Sequence, residues 1–71
     1  MKAAIYWRHR AEAIRTIRDD TRSPKARATL ARLAADYDRL AHISDPADHE
    51  ALMIAIAEHY ADLTSAGHVH E

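Results

Sequence analysis

Apolar positions recur at helical spacing in three blocks. In the middle block Ala26, Leu30, Leu33, Tyr37 and Leu40 follow a 4-3-4-3 spacing, with Ala34 and Ala41 beside them, the seam of a coiled-coil-like packing. Ahead of it, Ala3, Trp7, Ala11, Ile14 and Ile17 share one face. Arg8, Glu12, Arg15 and Asp19 form a solvated ridge of alternating sign on another. In the last block Leu52, Ile56, Tyr60 and Leu63 make a stripe, but Met53, Ile54, Ala55 and Ala57 spread apolar surface around most of the cylinder. The punctuation agrees with the blocks. Ser23-Pro24 and Asp45-Pro46 each put an oxygen acceptor at N-cap and a proline at the first helical position, and the single Gly67 is the expected stop. No strand pattern competes. The spacing predicts an all-α chain of three helices, about 3–20, 24–42 and 46–65, in one domain over 1–67, with a flexible polar tail at 68–71.

The short connection Thr21-Arg22-Ser23 makes the first two helices an antiparallel hairpin, with Trp7 opposite the end of the second. The third helix has more apolar surface than two short neighbours can cover. Composition sharpens this shortage. Of 71 residues 34 are apolar, but 16 of those are Ala, and neither Cys nor Phe is present. A single copy this small buries only about 60% of its unfolded surface. The expected solution is self-association through helix three, as a dimer or tetramer forming an oligomeric helix bundle, with Leu52, Met53, Ile56 and Tyr60 at the interface. The wide apolar helix also suits a helix of another protein. Tyr37 and Trp7 read as intrachain core.

Charge changes the picture again. The formal net charge is -1, yet all ten Lys and Arg lie in residues 1–39 beside five acids, leaving +5. Residues 40–71 hold six acids and no Lys or Arg, leaving -6, and five of the six histidines. Such asymmetry marks a nucleic-acid contact or a molecule whose ends attract each other. Arg10, Arg18, Arg22, Lys25, Arg27 and Arg32 gather about the hairpin turn, and Arg18, Arg22, Lys25 and Arg27 are the alternative reading's phosphate contacts. Against it stand the near-neutral total and the want of a base-reading helix. Arg8, Arg15, Arg32 and Arg39 also have acidic residues at helical spacing.

The run Tyr6-Trp7-Arg8, Arg10-Ala11-Glu12, Ile14-Arg15, Pro24, Ala26, Leu30, Leu33-Ala34 and Asp36-Tyr37-Asp38-Arg39-Leu40-Ala41 resembles small helical-hairpin proteins of rhizobia and related alphaproteobacteria. The resemblance covers about residues 6–41. It implies a helical hairpin in the cytosol and no assigned activity. Lys25 stands where those relatives often carry an acid, and helix three has no counterpart in the resemblance.

Candidate chemistry is sparse. His68-Val69-His70 could chelate a metal, but two ligands on a tail do not define a site. Asp38, His42, Asp45 and His49 surround the second turn, where His42 suits the end of helix two, and Asp45 and Asp48 the start of helix three. Glu58, His59 and Asp62 lack the Glu-x-x-His spacing of di-iron bundles. Without a Gly-rich phosphate loop or Gly-x-Ser-x-Gly, and with every Ser (Ser23, Ser44, Ser65) at a helix end, no catalytic, cofactor or metal residue is assigned and no enzyme is expected. Asp36 and Asp38 point to different sides of helix two. The longest apolar run, Ala51 to Ala57, is seven residues, too short for a span, and the expected location is the cytoplasm without membrane contact.

Overall fold

A computed structural model describes the backbone of residues 4–68 and the side chains of residues 4–64. Within these it is all-α: α1 (Ala4–Asp20), α2 (Pro24–Leu40) and α3 (Pro46–His68). Both proline starts form as the chemistry requires. Ser23 sits in extended backbone and its Oγ accepts from the Ala26 N–H at 3.3 Å, while Asp45 Oδ1 accepts from the Ala47 N–H at 2.8 Å. At its other end α2 tightens into short-range bonds, His42 N–H donating to the Arg39 carbonyl at 2.9 Å. Helix α2 therefore ends at Leu40 rather than at 42. The expected stop at Gly67 does not operate: α3 continues through it to His68, and no described glycine has positive φ. The predicted tail beyond His68 lies outside the described residues.

The first turn is tied by a side chain rather than by glycine. Arg27 Nη1 donates to the carbonyl of Arg18 at 2.9 Å and to that of Thr21 at 3.1 Å, so a guanidinium satisfies carbonyls at the end of α1. Thr21 Oγ1 donates to the Ile17 carbonyl at 2.7 Å.

Helix α2 is the centre. Helices α1 and α3 both pack on it, and their backbones do not approach each other. The molecule spans 40 × 22 × 15 Å, the long dimension matching a 23-residue α3 of about 34 Å. The core joins Trp7, Ala11 and Ile14 of α1, Leu30, Leu33, Ala34, Tyr37 and Leu40 of α2, and Ile56 alone from α3. Leu52 and Leu63 lean on it from the side. Trp7 stacks on Tyr37 with ring centroids 5.8 Å apart, which fixes the antiparallel register of α1 and α2.

Two departures from the helical pattern follow from this arrangement. Ile17 is 52% exposed, because the buried face of α1 runs along Trp7, Ala11 and Ile14 and Ile17 is turned to its flank. Conversely Asp36 is buried where α3 brings His59 onto a second side of α2 that the 4-3 seam does not include, and Thr29, two turns earlier on that side, is buried too. The Thr29 hydroxyl is satisfied locally by the Lys25 carbonyl at 3.2 Å.

Candidate functional site

Helix α3 carries two seams about 100° apart. The inner one, His49, Leu52, Ile56, His59 and Leu63, has 3-4-3-4 spacing and is buried or half-buried against the rest of the chain. The outer one, Met53, Ala57, Tyr60 and Thr64, has 4-3-4 spacing and is exposed throughout. Ile54, at 55% exposed, and Ala61 widen it. The four expected interface residues are thereby divided. Ile56, 4% exposed, belongs to the intrachain core and Leu52 packs beside it, while Met53 and Tyr60 face outward on the second seam.

Tyr60 stands at the boundary between the seams. Its hydroxyl lies 3.0 Å from that of Tyr37, and Arg10 Nη2 donates to both hydroxyls at 3.2 Å. The Arg10 guanidinium also lies over the Tyr37 ring, 5.3 Å from its centroid. The bond to Tyr37 pushes the Arg10 pKa up. Burial pushes the Tyr60 phenol up, its hydrogen bond to Tyr37 adds to this, and Arg10 opposes it. One residue from each helix meets here, so the junction latches α3 to the hairpin. Sequence reasoning placed Arg10 among the basic residues and missed this role. The signal was present in Tyr37, a seam tyrosine whose hydroxyl needs a partner once buried.

On the other side of α3 lies a groove of about 360 Å³ lined by Arg32, Ala35, Asp36 and Arg39 of α2 and Leu52, Ala55 and His59 of α3. Asp36 is its anchor. Its Oδ1 accepts from Arg39 Nη1 at 2.9 Å and its Oδ2 meets His59 Nε2 at 2.9 Å. Asp38 instead faces α1, accepting from Arg15, which also reaches Glu12 at 3.0 Å. The bond to Asp38 is the main cause that raises the Arg15 pKa. The two carboxylates do point to different sides of α2, one to each neighbouring helix. Arg39 and Arg15 have the intrahelical partners expected of them; Arg8 and Arg32 have no ion pair among the described residues.

The histidine and acid cluster at the second turn is dispersed. Asp38 pairs with Arg15 and Asp45 caps α3. His49 lies edge-on to Trp7, centroids 6.0 Å apart, its buried Nε2 without a hydrogen-bond partner among the described residues. Among the described residues no three His, Asp or Glu side chains come together to hold a metal. His68 and His70, and the chelating tail they would form, lie outside the described side chains. At the basic turn, Arg18 pairs with Asp19 at 3.2 Å and Arg27 is engaged with backbone carbonyls. Of the four expected phosphate contacts, Arg22 and Lys25 remain exposed and without an acidic partner among the described residues. No described helix is long and apolar enough to cross a membrane. No protein family, curated protein or solved structure matches this chain.

Proposed function

We propose that this chain is a small non-catalytic interaction module that self-associates through the outer seam of α3. The observation that carries this reading is the second seam itself: Met53, Ala57, Tyr60 and Thr64 repeat the spacing of a packed helix face and are all exposed among the described residues, Tyr60 being held to the hairpin through its hydroxyl. The occupant is a second copy, on grounds of charge. Helix α3 from Pro46 onward holds acids and no Lys or Arg, whereas the hairpin holds nine of the ten cations. An α3-to-α3 contact alone sets acids beside acids. A reciprocal contact, each α3 against the other copy's hairpin, sets opposite charges together twice and closes with two-fold symmetry. The exposed Tyr6, Ala13 and Ile17, at helical spacing on one flank of α1, supply apolar surface for it.

The alternative, electrostatic binding of nucleic acid by the hairpin, retains fewer cations than its sequence promises, since Arg18 and Arg27 are engaged within the chain. Light scattering on Met53→Asp separates the readings. Met53 is exposed in the monomer, so the variant keeps its helical circular dichroism and loses the dimer mass. A variant with unchanged mass overturns the proposal. A basic-turn function instead requires salt-sensitive duplex binding that Arg22→Glu with Lys25→Glu abolishes.

A further inference from the structure

We infer that the α2–α3 groove is a binding site for a small amphipathic monocarboxylate, its head held by Arg32 and its alkyl chain lying on Ala35, Leu52 and Ala55. The site stands apart from self-association, because Leu52, Ala55 and His59 lie on the side of α3 away from Met53, Ala57 and Tyr60. Three features define the ligand. The first is charge: two guanidinium groups, Arg32 and Arg39, flank one carboxylate, Asp36, so the groove carries an excess of one positive charge that a monoanion neutralises.

The second is that the charges already present are committed. Both oxygens of Asp36 already accept bonds, from Arg39 and His59, so the charge of the buried carboxylate is compensated within the chain. Arg32, one turn before Asp36, has no acidic partner among the described residues, because its i,i+4 acid is already occupied. Its planar guanidinium suits the two oxygens of a carboxylate. The third is shape. Ala35 of α2 and Ala55 of α3 both line the groove where longer side chains would narrow it, leaving about 360 Å³, at the small end of ligand sites. The rest of the lining, Leu52 and the two alanines, calls for an apolar chain rather than a second charged group.

The test is an amide NMR titration of the full chain with sodium octanoate, with acetate and octylamine as separate arms. Octanoate is expected to give saturable shifts centred on Ala35, Asp36, Leu52 and Ala55, with a dissociation constant of order 1 mM. Acetate, which lacks the chain, should bind at least about tenfold more weakly, as two buried methylenes suffice for that ratio. Arg32→Gln, an exposed substitution, should weaken octanoate about tenfold or more. Ala55→Leu should block it without any change of charge, circular dichroism confirming that both variants keep their helix content. Shifts that stay linear with octanoate, an equal response to octylamine, or full binding by either variant would overturn the inference.

Discussion

Asp36 is the most exacting place to test whether α3 is held on the hairpin as described. Its side chain is 8% exposed, but its two partners differ: Arg39 is 67% exposed and His59 is 19% exposed. Asp36→Ala returns Arg39 to water, at the cost of a surface pair, about 0–1 kcal/mol. The same change leaves His59 Nε2 half-buried and unpaired, which costs about 1–3 kcal/mol. The single variant should therefore lose about 1–4 kcal/mol. His59→Ala leaves a buried carboxylate with one exposed guanidinium, and its loss should equal or exceed that of Asp36→Ala. With both removed, neither group remains stranded, so the double variant should lose less than the two singles together, by about 1 kcal/mol or more. Urea unfolding followed by circular dichroism at neutral pH and one fixed protein concentration measures all four species, the fixed concentration being required because association adds to apparent stability. Single losses below about 0.5 kcal/mol, or additivity within about 0.3 kcal/mol, would refute the contact.

Three further outcomes are expected. The Tyr60 phenol is raised by burial and by Tyr37, so its share of stability is complete below the unfolded value of about 10 and is lost as pH rises through the higher folded value. Thermal melts from pH 9 to 12 should show this alkaline loss, reduced in Tyr60→Phe; an identical profile would contradict the junction. Ile56→Asp puts a charge into the core and should abolish folding outright, seen as lost helical signal at every protein concentration, rather than yield a folded monomer. Arg27→Ala removes two bonds, to the Arg18 and Thr21 carbonyls, and should cost about 1 kcal/mol, with faster amide exchange confined to the first turn.

The parts of the fold that depend on local chemistry were legible in the chain. Ser23-Pro24 and Asp45-Pro46 start helices for reasons contained in four residues, and the spacing of Leu30, Leu33, Tyr37 and Leu40 names a buried face without reference to the neighbour that covers it. The end of α3 was not legible, because a glycine stops a helix only where the chain turns left-handed, and at Gly67 it does not. Ile17 was misplaced, and the burial of Asp36 was not anticipated, for a common reason: helical spacing identifies a face, but which flank is covered depends on the angle at which the next helix arrives. A charged residue such as Asp36 is polar by pattern and becomes part of the interior only once α3 brings His59 to it. The groove and the Arg10–Tyr37–Tyr60 junction belong to the same class, their cross-helix hydrogen bonds joining residues 23 to 50 positions apart whose meeting is a property of packing. The apolar excess of α3 was visible from the start; its division into one covered and one open seam required the fold.

The central claim is that the open seam of α3 is covered by a second copy. Sedimentation equilibrium of the unmodified chain at micromolar concentration and moderate salt addresses it directly. A mass of two chains, or a multiple of two, is expected, falling toward one chain on dilution. A folded species that sediments as a single 8.0 kDa chain across the whole concentration range would contradict it.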